Sequence, residues 1–195
     1  MMNKVGKAPR YSTKEISEEL NRVRYRGGYR WALRSTIYTL VIAAALAVLV
    51  ATLWMPVLRI YGSSMTPTLR NNEVVLSVKG GEFKRGDICA MYYNNKVLVK
   101  RIIGCPGDWV NIDADGNVYI NGELLDEPYV GEKALGECTV ELPFQVPEEK
   151  YFVMGDDRPI SLDSRSEAIG AVAVDQIIGK IMCRLWPLDK LGTVQ

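Results

Sequence analysis

Residues 35–58 read STIYTLVIAAALAVLVATLWMPVL, a run of 24 residues without a charged side chain. As an α-helix this run would be about 36 Å long, enough to cross the roughly 30 Å hydrocarbon core of a bilayer. Trp31, Tyr38 and Trp54 lie towards its two ends, where aromatic side chains favour the membrane interface. A cleaved signal peptide would have a shorter apolar region nearer the N-terminus. The run therefore predicts a transmembrane helix over residues 35–58, with Pro56 in its last turn.

Positive charge is concentrated before this run. Residues 1–34 contain nine Lys and Arg and three Glu, a net charge of +6, and since the whole chain carries +1, the remainder carries −5. Basic flanks of a membrane span stay on the cytoplasmic side. The charges predict a basic cytoplasmic segment over residues 1–34 and an extracytoplasmic domain over residues 59–195, in a single-pass protein of the cell membrane. The acidic balance of that domain argues against nucleic acid as a partner.

The domain after the span has the pattern of a β protein. Short segments rich in Val, Ile and Tyr are separated by turn signals, and Asp115-Gly116 is typical of a hairpin turn. No amphipathic helical period follows residue 60, apart from a short helical turn that residues 164–169 could form. The pattern predicts a mostly β fold, an antiparallel β-sandwich or partly closed barrel. The predicted strands are residues 73–78, 87–93, 96–103, 108–112, 117–120, 150–155 and 177–186.

The chain contains no histidine, which excludes a Ser-His-Asp triad, a Cys-His pair and a His-ligated zinc site. Its four cysteines contain no CxxC pair, which argues against a thiolate metal site. Buried free thiols and a disulfide both remain open. No metal and no cofactor is predicted. The cysteines are Cys89, Cys105, Cys138 and Cys183.

Two adjacent serines, Ser63 and Ser64, follow the span in the stretch YGSSMTPTL, residues 61–69. A serine becomes a nucleophile when a base takes its proton, and without histidine the base must be Asp, Glu or Lys. Lys100 lies in the apolar stretch VLVKRIIG, and burial there would lower its pKa. Strand alternation sends Lys100 and Arg101 to opposite faces, so an Arg101 that faces water would direct Lys100 to an apolar surface. The alternative is an edge-strand lysine whose amine reaches solvent.

A third polar segment, MGDDRPISLDSR, covers residues 154–165 after an apolar strand. It could be an ordinary surface turn with weak ion pairs. It could also hold a buried hydrogen-bonded network that orients a lysine amine, in which a serine hydroxyl would add no charge.

Three motifs, GSSMTPTL, LVKRIIGCPGD and GDDRPISLDSR, occur in this order after the apolar run. Together they resemble the type I signal peptidases, which are membrane-anchored Ser-Lys endopeptidases that remove signal peptides from exported proteins. The small size and single span resemble the shorter, Gram-positive-type members. The resemblance covers roughly residues 35–187.

The resemblance implies a role for individual residues. Ser64, directly before Met65, matches the nucleophile, whereas Ser63 occupies a variable position and is not the nucleophile. Lys100 matches the general base that takes the Ser64 proton. Supporting roles fall to Ser161, whose hydroxyl would bond the lysine amine, and to a structural ion pair of Asp163 and Arg165.

Two departures from the family pattern bear on the site. Gly62 stands where some members have a serine that helps to form the oxyanion hole, so that hole must depend on the Ser64 backbone N–H and other donors. In GDDRPIS, Asp157, Pro159 and Ile160 stand where the family more often has Asn and an Asp-Asn pair. Pro159 would stiffen the loop that carries Ser161.

The substrate is expected to bind extended against strand edges, by main-chain pairing. Small pockets near the nucleophile would favour small side chains, such as Ala, at the positions one and three before the cut, the A-x-A pattern of export signals. The partners are then signal-peptide-bearing preproteins and the lipid bilayer. The predicted substrate-binding residues are Ile60, Gly62, Met65, Leu98 and Val99.

Three other functions are alternatives to signal-peptide removal. A self-cleaving repressor uses a Ser-Lys pair but is cytoplasmic, and the apolar run argues against it. A membrane-tethered Ser-Lys peptidase dedicated to one secreted substrate would use the same residues. A non-enzymatic β module that binds partners would leave Lys100 in an apolar strand by coincidence.

Overall fold

The computed structural model describes residues 12–194, so residues 1–11 of the predicted cytoplasmic segment lie outside the described residues. The chain divides into two compact units, Met1–Val50 and Ala51–Gln195. Within the described residues, the first unit is helical from Thr13 onward, and the second contains all the strands described below.

Helix α1 comprises Thr13–Trp54. Ser12 precedes it as a capping residue: its hydroxyl accepts a bond from the Lys14 N–H, while the Glu15 carboxylate accepts one from the Ser12 N–H. Within the described chain, one helical stretch, Arg30–Trp54, is long and apolar enough to cross a membrane. This stretch contains most of the predicted span.

The helix ends four residues before the predicted C-terminal end of the span. The helix ends at Trp54, and Val57–Arg59 form a strand that pairs with Val74–Val78 instead of a last helical turn. Pro56 has no backbone N–H and cannot continue a helix, so extended chain begins there. The Met55 N–H donates to the Ala51 carbonyl at 2.7 Å, and the next peptide nitrogen belongs to proline.

The second unit contains two antiparallel sheets. The larger has the order β1-β2-β11-β3-β4-β9-β10, with β12 beside β11, and the smaller has the order β7-β6-β5-β8. Neither sheet closes into a barrel. The strands of the larger sheet are β1 (Val57–Arg59), β2 (Val74–Val78), β3 (Ile88–Tyr93), β4 (Lys96–Gly104), β9 (Lys150–Met154), β10 (Val172–Ala173), β11 (Ile177–Trp186) and β12 (Gly192–Thr193). Those of the smaller are β5 (Trp109–Ile112), β6 (Val118–Ile120), β7 (Glu123–Leu124) and β8 (Phe144–Gln145).

The prediction of a mostly antiparallel β domain is confirmed, and all seven predicted strands are present within about one residue at each end. The barrel alternative is wrong, because the sheets are open. The five strands that the sequence did not predict have two or three residues each, too few to show an alternation. Residues 164–169 form turns rather than a helix, and short 3-10 helices occur instead at Val174–Gln176 and Leu188–Lys190.

The two sheets share a hydrophobic core. Ile103 of β4 and Phe152 and Met154 of β9 pack with Val110 and Val118 of the smaller sheet. No disulfide links the four cysteines, all of which are described. Burial raises the pKa of the Cys89 thiol to about 12, so this thiol remains protonated and unreactive at neutral pH.

Strand β4 has an unusual position in the larger sheet. It pairs with β3 along Lys96–Arg101, but its other edge pairs with β9 only from Arg101 onward. The first half of β4 therefore presents an unpaired edge within the described sheet, while the second half is central and buried.

Candidate active site

Lys100 lies where β4 changes from an open edge to a central strand. Only 2 % of its surface is exposed, and its amine donates a hydrogen bond to the Ser161 hydroxyl, with Nζ and Oγ 2.8 Å apart. The alternative of an edge lysine that reaches solvent is therefore wrong. Ser161 is also buried, so the amine and the hydroxyl meet away from bulk water.

Burial lowers the pKa of Lys100 from 10.5 to about 8. Three charges modify this effect: Asp163 raises the pKa, Arg165 lowers it and Asp156 raises it. Desolvation dominates because removal of the ammonium from water is unfavourable. With a pKa of about 8, roughly one Lys100 in ten is neutral at pH 7, against about one in 3,000 at the ordinary value.

Arg101 does not face water, which corrects the reasoning from strand alternation. It is 2 % exposed, and its guanidinium bonds both oxygens of Asp156 at 2.9 and 2.8 Å. The Gly86 carbonyl accepts a further bond at 2.8 Å, and the guanidinium lies 3.8 Å from the centre of the Tyr129 ring. Because this end of β4 is covered on both faces, alternation cannot distinguish an inward lysine from an outward arginine there.

The loop between β9 and β10 is a buried network rather than a surface turn. We call residues 155–165 the Ser161 loop. Asp163 and Arg165 form an ion pair at 2.9 Å with both side chains fully enclosed, and Asp163 also accepts the Gly155 N–H at 3.0 Å. Burial by itself would raise the pKa of Asp163, but the hydrogen bond and charge of Arg165 and the Gly155 N–H outweigh it and lower the pKa. Asp163 is therefore ionised at neutral pH.

Ser64 lies in the turn that follows β1, and it is half-buried, whereas Ser63 is exposed. The Ser64 carbonyl accepts the Asp157 N–H of the Ser161 loop at 3.1 Å. A methyl group at Gly155 would collide with both this carbonyl and the Ser161 side chain, so the close approach of turn and loop requires glycine. Ser64 is thereby brought beside the residue that holds the Lys100 amine.

The hydroxyl of Ser64 makes no direct hydrogen bond to Lys100 among the described residues. The structure joins Lys100 to Ser161 directly and brings Ser64 to the same loop through its backbone. Catalytic hydrogen bonds are often long without substrate and tighten when substrate binds. The Ser64 N–H also has no acceptor within the described chain, so it is available to bind an oxyanion.

All five predicted substrate-binding residues line one groove of about 510 Å³. Three segments line this groove, residues 58–62, residues 64–65 and residues 96–99. Gly62 has φ of +94°, a conformation that other residues rarely adopt, so this position suits glycine better than serine. The same strand leads from the groove to the buried amine, because Val99 lines the groove and Lys100 follows it.

Besides Arg101–Asp156, sequence reasoning missed another buried ion pair at this loop. Arg158 and Glu127 have no exposed side-chain surface, and their nearest atoms, Nη2 and Oε1, are 2.5 Å apart. Glu127 lies 31 residues before its partner, in a segment without a distinctive pattern. The available signal was the number of Asp and Arg residues in the Ser161 loop. That number indicates a further buried ion pair only once Arg158 is known to be buried.

The site combines a serine that lines a groove with a buried amine of lowered pKa, in a chain without histidine. This is the kind of site in which Ser-Lys hydrolases perform acyl transfer. Comparison with known proteins gives the particular family. Residues 33–186 match the family described as "Signal peptidase, peptidase S26". The chain belongs to this family of serine endopeptidases, which confirms the resemblance seen in the three motifs.

Individual relatives agree with the family match. The chain is 39 % identical over 164 residues to signal peptidase I S of Bacillus subtilis strain 168, covering 78 % of this chain and 88 % of that protein. It is 38 % identical over 151 residues to signal peptidase IB of Staphylococcus aureus strain N315, covering 67 % and 78 %. A crystal structure of a signal peptidase I from Enterococcus faecalis V583 is 33 % identical, with a TM-score of 0.42, covering 51 % of this chain and 97 % of that one.

Proposed function

We propose that this chain is a membrane-anchored serine endopeptidase that removes N-terminal signal peptides from exported preproteins, with Ser64 as nucleophile and Lys100 as general base. The observation that carries the assignment is the buried Lys100 amine, bonded to Ser161, on the strand that also forms the groove wall. Family membership supports the substrate class.

The reaction begins with neutral Lys100. Its amine takes the Ser64 proton as Oγ attacks the scissile carbonyl, and the Ser64 N–H donates to the oxyanion that forms. The Lys100 ammonium then gives its proton to the leaving amine as the C–N bond breaks, which leaves an acyl-enzyme. Water, activated by the same amine, attacks the ester and releases the signal peptide and free Ser64.

The groove supports an extended substrate. Within the described residues, one edge of Lys96–Val99 has no strand partner, and β1, which leads into the lining residues 58–62, is the end strand of its sheet. A peptide can therefore add main-chain hydrogen bonds to free edges on either side. Ile60, Met65 and Val99 make the walls near Ser64 apolar and leave room for small side chains, which fits Ala before the cut.

The anchor and its orientation complete the proposal. Arg30–Trp54 is the candidate span, and the excess of Lys and Arg before it favours a cytoplasmic N-terminus and an extracytoplasmic catalytic domain. Ser64 follows Trp54 by ten residues, a chain length of at most about 35 Å. The nucleophile would therefore act near the membrane, where the signal peptide of a preprotein ends.

The test is cleavage of a preprotein by the detergent-solubilised full chain, with the new N-terminus identified by mass spectrometry. Ser64→Ala should abolish cleavage, and Lys100→Met should do the same. Ser63→Ala is the matched control, since it removes the exposed neighbouring hydroxyl and should keep the activity. Cleavage that survives Ser64→Ala would reject the nucleophile, and a binding function that survives it without any proteolysis would favour the non-enzymatic module.

A further inference from the structure

The Glu127–Arg158 ion pair joins the Ser161 loop to a different part of the fold. Glu127 follows β7 of the smaller sheet, and its two carboxylate oxygens accept bonds from Nη2 and Nη1 of Arg158 at 2.5 and 3.3 Å. Neither side chain has exposed surface. A two-point contact of this kind fixes both the distance and the orientation of the guanidinium.

Arg158 in turn determines how the Ser161 loop is folded. Its Nε donates to the Gly155 carbonyl at 3.0 Å, and its own carbonyl accepts a bond from Nη2 of Arg165 at 2.9 Å. Between these contacts the Ser161 N–H donates to the Asp157 carbonyl at 3.1 Å. Arg158 therefore contacts both ends of the short segment that presents the Ser161 hydroxyl, Gly155 through its side chain and Arg165 through its backbone carbonyl.

Tyr129 connects the same carboxylate to β4. Its hydroxyl donates to Oε1 of Glu127 at 3.1 Å, and its ring packs against the Arg101 guanidinium at 3.8 Å. Arg101 is bonded to Asp156, which also accepts the Thr68 hydroxyl at 2.5 Å. One connected set of buried contacts thus includes the Ser161 loop, the strand of Lys100 and the turn of Ser64.

The charges of this set balance without Lys100. Three buried arginines each have their own buried carboxylate, whereas the Lys100 amine is bonded to a hydroxyl. Loss of Glu127 would leave a buried guanidinium without a partner, which is strongly unfavourable. Arg158 would then move towards water or another carboxylate, and the loop that it holds would move with it. The pairs are Arg101–Asp156, Arg158–Glu127 and Arg165–Asp163.

We infer that Glu127 is a positioning residue for the cleavage reaction: through Arg158 it holds the Ser161 loop so that the Ser161 hydroxyl stays bonded to the Lys100 amine. Glu127 does not line the groove, and among the described residues its side chain bonds Arg158 and Tyr129 rather than Ser64 or Lys100. It acts on the orientation of the base and leaves the binding of substrate unchanged. The inference rests on the proposed function, since its readout is cleavage.

The test compares Glu127→Gln with the wild-type full chain in detergent, with kcat, KM and the pH profile of preprotein cleavage measured on folded protein. We expect kcat to fall at least about tenfold while KM stays within about twofold, because the groove is intact and the base is misplaced. The midpoint of the pH profile should rise by about one unit as water reaches the amine, with Asp163, Asp156 and Arg165 still beside it. A double variant, Glu127→Gln with Arg158→Gln, should recover part of kcat because no unpaired charge remains.

Asp108→Asn is the matched control. Asp108 also pairs with an arginine, Arg85 at 2.8 Å, and among the described residues it has no hydrogen bond to the Ser161 loop. Asp108→Asn should leave kcat and the pH midpoint unchanged. If Glu127→Gln does not fold, Tyr129→Phe gives the answer, because it removes one bond to Glu127 and no charge, and kcat should fall with unchanged KM.

The outcomes separate this inference from the proposed function. Wild-type protein that does not cleave a preprotein overturns the proposed function. If the wild-type protein cleaves, and a folded Glu127→Gln has unchanged kcat and pH midpoint, the positioning role alone is overturned. Where Glu127→Gln does not fold, the same result with Tyr129→Phe overturns it. A loss of kcat that matches only the unfolded fraction, with an unchanged pH midpoint, does so as well.

Discussion

Lys100→Met replaces the buried amine by an uncharged side chain of similar length, and it should stabilise the domain while it abolishes cleavage. Burial lowers the pKa of Lys100 from 10.5 to about 8, and each pKa unit corresponds to about 1.4 kcal/mol. Below pH 8 the folded wild-type protein therefore holds the ammonium at a cost of roughly 3 kcal/mol. Loss of the bond to Ser161 offsets this by about 1 kcal/mol, which leaves a net gain of roughly 2 kcal/mol at pH 7.

The sign of the pH dependence follows from proton binding. Because the pKa of Lys100 is lower in the folded state, the unfolded chain binds more protons between about pH 8 and 10.5, and wild-type stability rises with pH across that window. Lys100→Met cannot show this rise. Its advantage in the free energy of unfolding should therefore shrink by roughly 2–3 kcal/mol between pH 7 and pH 10.

The assay is urea unfolding of both proteins, as full chains in detergent, followed by near-UV circular dichroism at four pH values from 7 to 10. The difference between the two proteins cancels the titration of Cys and Tyr side chains that they share. Lys96→Met, a change of an exposed lysine on the same strand, provides the baseline for loss of a lysine side chain. A difference between Lys100→Met and wild type that stays constant from pH 7 to 10 would refute the reasoning that burial displaces the amine.

Three further predictions test other parts of the site. The kcat/KM of the wild-type protein should rise about tenfold from pH 6 to pH 7 and level off above pH 9, since neutral Lys100 with a pKa of about 8 is the active form; a flat profile contradicts this. Gly155→Ala should lower the free energy of unfolding by about 1–3 kcal/mol and reduce cleavage, because its methyl group would collide with the Ser64 carbonyl and Ser161. Unchanged denaturation and activity would contradict this, since they would show that the Ser64 turn can move away. Arg101→Met should destabilise the fold by roughly 3–5 kcal/mol, because Asp156 would be buried without its partner, and thermal unfolding that matches the wild type would contradict the buried pair.

Local sequence patterns predicted the helix and the strands, but not which of their residues other segments would bury. The long strands were visible because alternation and turn residues are properties of neighbouring positions, as in the hairpin of Asn94 and Asn95, both of which have positive φ. Alternation predicted an apolar surface for Lys100 only on the condition that Arg101 faces water. That condition is not met, because a loop 55 residues away supplies the carboxylate that makes the burial of Arg101 tolerable.

The sequence by itself determined the charge-free span, the antiparallel β domain, the absence of a histidine base and the three segments that hold Ser64, Lys100 and Ser161. These are local patterns, and the physics behind them acts between residues close in the chain. Only the tertiary structure decided the burial of the arginines and the contact of Glu127 with Arg158. Burial of a charge depends on which distant segment brings its partner, and that choice is made by the packing of the whole domain.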